Sequence, residues 1–177
     1  MSVFNSDKEC NAFSFTGINE VIGLILDVVK SSLGMGLTNV LLYSFGRSIG
    51  EDLFNLHPCL KSGGASLEEA NEYLVNCLKI HNLVKDTFIL KAFRPDGRLE
   101  LVCRINSKEF EKFSKEDSDF KTSLVYFFYR GILSRYYELF FKMPLEIKKV
   151  STCLDENENT ICEFVLITPL EERVDEP

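Results

Sequence analysis

The sequence predicts an α+β fold, with helices packed on one face of a four-stranded, mainly antiparallel sheet. Three observations carry this. The first eighty residues repeat their apolar positions at helical spacing, two pairs of strand-like runs follow, and a long amphipathic segment separates those pairs. The 177 residues make one domain, 1–177, with 45% hydrophobic and 27% charged residues, large enough to bury a core without staples.

Thr16 can cap a first helix in which Ile18, Val21, Ile22, Ile25 and Val28 recur on one face, ending near Gly34 and Gly36. A second helix spans Leu37 to Leu56, with Leu42, Phe45, Ile49, Leu53 and Leu56 as its apolar stripe and Pro58 as its stop. The two read as a helical hairpin. Gly63 and Gly64 mark a loop, and Ser66 with Glu69 forms a capping box for a third helix, which turns Ala70, Tyr73, Leu74 and Cys77 inward.

The pattern then changes. Thr87 to Phe93 and Leu99 to Ile105 read as strands joined through Pro95-Asp96-Gly97, where proline presets φ and glycine eases the turn. After a polar stretch comes a helix from Thr122 to Lys142. It sets Arg130, Arg135, Glu138 and Lys142 against Val125, Phe128, Ile132, Leu133, Tyr136, Leu139 and Phe140. Leu124, Phe127 and Phe141 lie outside that sector, so more than one side of the helix is expected to be covered. Ile147 to Leu154 and Thr160 to Thr168 form the second hairpin about Asp155 to Asn159.

Composition narrows the function. A net charge of -7, with Glu171, Glu172, Asp175 and Glu176 at the C-terminus, repels phosphate backbones and argues against nucleic acid. The most apolar stretch, Val21 to Val29, is far shorter than the roughly 20 residues of a membrane span. With no basic, apolar and small-residue leader pattern, a cytoplasmic location is expected. The six cysteines, none in a CxxC pair, are expected to be reduced thiols. Fifteen Phe and no Trp supply apolar area without polar atoms to satisfy, which suits a core and equally a pocket for a flat apolar ligand.

Phe127-Phe128-Tyr129-Arg130-Gly131, Pro144, Cys153, Cys162 and Phe164, with Gly46-Arg47-Ser48-Ile49-Gly50 and Asn106-Ser107 upstream, resemble the pattern of the 4-vinyl-reductase (hydrocarbon-binding) domain family over residues 17 to 168. That family is similar in fold to TRAPP transport-particle subunits and to ligand-binding domains of nitric-oxide signalling proteins. The resemblance implies an internal cavity for a small hydrophobic or aromatic molecule, and a binder of that kind is expected to work as a homodimer or to deliver its state to another protein. The founding reductase chemistry does not follow, because the chain has no GxGxxG loop.

The candidate pocket residues are Phe45, Ile49, Phe128, Ile132 and Tyr136, all on predicted inward faces. Core packing is the competing role for each. Gly46 and Gly50, one turn apart, point to close helix contact or to room for a ligand. A hairpin closing symmetrically about Asn157 and Glu158 pairs Cys153 with Cys162 across the strands, at about 5 Å between Cβ atoms, a spacing that two thiolates could offer to zinc. Phenol-sensing members of the family add a cysteine and a glutamate to such a site; here those places fall near Tyr126 and at Val150. Alternation works against the pair too, since Cys153 shares its face with Ser151 and Cys162 with Phe164. His57-Pro58 is read as a helix end, and His81 is too isolated to serve as a base. No Ser/His/Asp set, carboxylate pair or phosphate loop can be assembled, and no catalytic residue is nominated. Two alternatives stand beside the ligand binder: a TRAPP-like assembly module with a filled core and an exposed apolar interface, and a zinc or thiol protein built on the hairpin cysteines.

Overall fold

A computed structural model describes residues 35–81, 83–84, 88–93, 98–106, 119–154 and 160–169. The helix expected from Thr16, the Pro95-Asp96-Gly97 turn and the Asp155 to Asn159 turn lie outside the described residues. The chain order is α1 (Met35–Leu56), α2 (Pro58–Ser62), α3 (Leu67–Ile80), β1 (Phe88–Phe93), β2 (Glu100–Asn106), α4 (Asp119–Phe141), β3 (Glu146–Leu154) and β4 (Thr160–Ile167). This is the α+β class the periodicities predict.

Local chemistry sets the helix ends. Ser66 Oγ accepts from the Glu69 amide at 3.2 Å while Glu69 accepts from the Ser66 amide at 2.7 Å, which completes the capping box of α3. Pro58 both ends α1 and opens α2, a short helix absent from the sequence reading. His57 is its N-cap and accepts the Leu60 amide on Nδ1 at 3.3 Å. At the end of α4, Lys142 turns left-handed at φ 55° and the Met143 amide reaches back to the Glu138 carbonyl at 3.2 Å, after which Pro144 prevents continuation.

The sheet is antiparallel throughout, in the order β1-β2-β4-β3, so the second strand of each hairpin is central. Pairing of Leu101 with Leu166, Cys103 with Phe164 and Ile105 with Cys162 puts six fully buried residues on one face. On that face lies α4, with Tyr126 and Tyr129 ring centroids 6.2 and 6.5 Å from Phe164. The opposite face carries Arg104 paired with Glu163 at 2.8 Å, directly across β2 and β4. Helix α1 lies against α4, and α3 closes the far end through hydroxyls donated from α4. Tyr136 Oη reaches the Ala70 carbonyl at 2.7 Å and Tyr137 Oη reaches Asn71 Oδ1 at 3.0 Å. Tyr129 Oη donates to the carbonyl of Leu83, just beyond α3. Three large side chains are thereby buried without orphaned hydroxyls. Burial along α4 includes Tyr129, Ser134 and Tyr137 besides Phe128, Ile132, Leu133 and Tyr136, so more than one side of the helix is covered, as expected.

Candidate functional site: the aromatic seam between the long helices

The α1–α4 contact is built on glycine. A Cβ on Gly46 would collide with the Phe128 carbonyl, one on Gly50 would lie 2.5 Å from the Ile132 carbonyl, and one on Gly131 would lie 2.7 Å from the Arg47 amide and closer still to the Tyr43 carbonyl. The backbones therefore touch. Of the two roles open to Gly46 and Gly50, the structure selects close helix contact, and it adds Gly131 as the matching surface on α4. Each glycine in a helix costs about 1 kcal/mol relative to alanine, a loss offset by the packing that close approach permits.

Beside the glycines runs a polar ladder. Arg47 Nη1 donates to Tyr43 Oη at 3.3 Å, Tyr43 Oη meets Ser134 Oγ at 3.3 Å, and Ser134 Oγ donates to the Arg130 carbonyl at 2.7 Å. Arg47 also grips Glu138 with both terminal nitrogens, at 3.2 and 2.8 Å, a bidentate pair. The hydrogen bond to Glu138 holds the Arg47 guanidinium above its ordinary value, against the desolvation that would lower it. Arg135 reaches Glu51 at 2.9 Å and lies 3.8 Å from Glu138.

An aromatic run continues from the glycine contact toward the sheet. Phe45 packs on Phe128 with ring centroids 5.8 Å apart, Phe128 on Tyr129 at 5.5 Å, Tyr129 on Phe164 at 6.5 Å and Phe164 on Tyr126 at 6.2 Å. Its interior members are buried, whereas Phe45 and Tyr126, at its ends, are only partly so.

The five candidate pocket residues divide across this arrangement. Phe45 and Phe128 meet ring to ring. Ile132 sits at the glycine contact, with its backbone against Gly46 and Gly50, and Ile49 lies buried on the adjoining turn. Tyr136 belongs to the other end, edge-on to Phe54 at 6.0 Å and tied to α3. Burial raises the hydroxyl pKa of Tyr136 and Tyr137 well above the ordinary value, and Tyr73 adds to the shift of Tyr136. Both stay neutral donors.

The hairpin cysteines require a correction. The register from Lys149↔Val165 to Leu154↔Thr160, one residue away from closure about Asn157 and Glu158, places Cys162 opposite Thr152 and Cys153 opposite Ile161. Successive strand positions alternate between faces, so the positions of Cys153 and Cys162 are one step out of phase and do not form the cross-strand pair on which a zinc site was built. Cys103 is the cysteine that shares the Cys162 face, diagonally across β2 and β4. Burial pushes its thiol far above the ordinary range, which leaves it a small apolar group rather than a ligand or nucleophile. Among the described residues no group of three or more His, Cys, Asp and Glu is placed to hold a metal. Cys59, Cys103 and Cys162 are not in disulfides, but Cys77 is disulfide-bonded, so the expectation of wholly reduced cysteines is corrected there.

Sequence reasoning missed Tyr43, Ser134 and the Arg47–Glu138 pair, because ladder partners stand far apart in the chain and only the three-dimensional contact aligns them. The signal that could have found them was the glycine set, which fixes where α1 meets α4. No described helix is long and apolar enough to cross a membrane. No family model matches the chain, and a search of curated proteins finds no match.

Proposed function

We propose that the chain binds a small hydrophobic or aromatic molecule, held on the aromatic seam rather than between α1 and α4. The observation that carries this reading is the unbroken ring-to-ring run from Phe45 through Phe128, Tyr129 and Phe164 to Tyr126. Its end members Phe45 and Tyr126 keep part of their surface open. Aromatic faces on a rigid base offer a flat ligand stacking area at little conformational cost. The glycine contact leaves no room for that ligand between the backbones, which shifts the site away from Ile132. No catalytic role is proposed. The reading includes a cytoplasmic setting, which the thiols of Cys59 and Cys103 favour and the bonded Cys77 does not.

The test uses the chain's own fluorescence. It has six Tyr and no Trp, so emission reports on a small set of rings, of which Tyr126 and Tyr129 stand in the seam. Titration with naphthalene, indole and cyclohexane is expected to quench tyrosine emission saturably with the two aromatics, and Phe45→Ala is expected to weaken that response about tenfold. Absence of saturable binding by any of the three, together with native mass spectra free of retained ligand, would refute the reading.

One observation favours assembly as a second reading. Leu37, Val40 and Leu41 form an exposed apolar row on α1, at i, i+3 and i+4. The partner proposed for that row is a second copy of the chain, giving a homodimer.

A further inference from the structure

Neither the aromatic seam nor the polar ladder uses the bonded state of Cys77. This residue is joined in a disulfide although it has 0% exposure, on the inward face of α3 with Ala70, Tyr73, Leu74 and Leu78. The partner follows by exclusion. Of the six cysteines, Cys59, Cys103 and Cys162 are not in disulfides, which leaves Cys10 and Cys153. Cys153 stands on β3 opposite Ile161, one step beyond Thr152, whose partner is Cys162. Cys162 belongs to the sheet face on which α4 lies, so the position of Cys153 belongs to the other face. Helix α3 is on the α4 side, held there by the hydroxyls of Tyr136 and Tyr137 on Ala70 and Asn71. A disulfide needs Cα atoms within about 7 Å of each other, and the sheet intervenes between the position of Cys153 and α3.

We infer that Cys77 is bonded to Cys10, and that this disulfide is a redox-sensitive tether joining the chain ahead of α1 to α3. The two cysteines are 67 positions apart, with α1 and α2 between them. The bond therefore closes a long loop, the arrangement in which a cross-link restricts the unfolded chain most. Opening it leaves chemistry that the core accepts. A neutral thiol in a fully buried position behaves as a small apolar group, and the neighbours of Cys77 on its own helix are apolar or aromatic.

The step is a two-electron exchange with a dithiol. One thiolate of the reductant attacks a sulfur of the bond, its second thiol displaces the mixed disulfide so formed, and the reductant leaves as a cyclic disulfide, its two protons passing to Cys10 and Cys77 as thiols. Exchange with a disulfide oxidant such as oxidised glutathione closes the bond by the reverse route. In a reducing cytoplasm a disulfide of this kind reports the redox poise rather than stapling the fold permanently. The tether stands or falls independently of the aromatic seam.

The experiment maps the bond in the full chain equilibrated with oxidised glutathione, then blocked with N-ethylmaleimide under denaturing conditions and digested with trypsin. Cleavage after Lys and Arg puts Cys10 in peptide 9–30, Cys77 in 62–79, and Cys153 with Cys162 in 150–173. Peptides 9–30 and 62–79 are expected to be linked. Dithiothreitol applied to the native protein before blocking should separate them and lower Tm by about 5 °C or more, with helical circular dichroism retained. Cys10→Ser should melt where reduced wild type melts and should not respond to dithiothreitol, a match that a merely damaged fold does not produce. Linkage of 62–79 to 150–173, or recovery of 62–79 with Cys77 blocked, overturns the pairing. A link between 9–30 and 62–79 that survives dithiothreitol in the native protein makes the bond a permanent staple and overturns the redox-sensitive tether.

Discussion

At the scale of single residues, glycine decides how near the two long helices lie. Gly131 is the strictest position, because its absent side chain is replaced by the backbone of Tyr43 and Arg47 on α1, and backbone cannot swing aside as a side-chain tip can. Gly131→Ala is expected to destabilise the fold by about 2–3 kcal/mol, the range for overpacking a dense contact, with a lowered urea midpoint at unchanged slope. Gly36 provides the opposite case. A Cβ there meets nothing within 4 Å, so Gly36→Ala should stabilise by up to about 1 kcal/mol through helix propensity and a less free unfolded chain. A Gly131→Ala protein as stable as wild type would mean that α1 and α4 do not touch through this residue. The paired substitutions separate that contact from any general response to alanine.

At the scale of elements, the α1–α4 pair is held by apolar contact on one side of the glycines and by the ladder on the other. Arg47 and Glu138 are part-buried, with side-chain exposures of 31% and 15%, so their attraction is neither wholly screened nor heavily taxed by desolvation. A double-mutant cycle with Arg47→Met and Glu138→Gln is expected to give a coupling of about 1 kcal/mol, falling as salt is raised. A coupling indistinguishable from zero at low salt would reduce the pair to a geometric coincidence. The elements themselves were legible because each announces itself locally: Ser66 and Glu69 cap α3, Pro58 ends α1, and the apolar face of α4 repeats every turn. Alternation likewise exposed the mismatch between Cys153 and Cys162, but the pairing register could not be read, because a polar run from Asp155 to Asn159 does not fix about which residue the hairpin closes, and one step of closure exchanges the faces. Of the candidate residues, Phe45 and Phe128 meet ring to ring, a contact their inward-facing positions on α1 and α4 permit. Tyr136 meets Phe54 of α1 and the Ala70 carbonyl of α3 at once, a double contact that periodicity along α4 alone does not assign.

At the scale of the whole molecule, the distribution of charge bears on what meets what. The chain carries -7 overall, so two copies repel unless they approach through a neutral surface. Residues Met35 to Gly46, the first half of α1, contain no Asp, Glu, Lys, Arg or His, and their outer side presents Leu37, Val40 and Leu41 at 49%, 59% and 43% exposure. A row of this kind can meet its own copy about a two-fold axis without needing a complementary charge pattern. It is small: the 22-residue helix is about 33 Å long at 1.5 Å per residue, and half of one face falls well short of the roughly 800 Å² per partner found in stable complexes. The dimer expected from this row alone is accordingly weak and concentration-dependent. Sedimentation velocity should show the weight-average coefficient rising between micromolar and several hundred micromolar protein. Added salt should strengthen association, because it screens the repulsion between like-charged bodies and leaves the apolar contact untouched. Val40→Glu should hold the protein monomeric across that range with its helical circular dichroism unchanged. Concentration-independent sedimentation of wild type, matching Val40→Glu, would remove the second copy as partner of α1. It would leave the aromatic seam unaffected, since Val40 faces away from Leu42, Ile49 and Leu53, which carry the buried side of the helix.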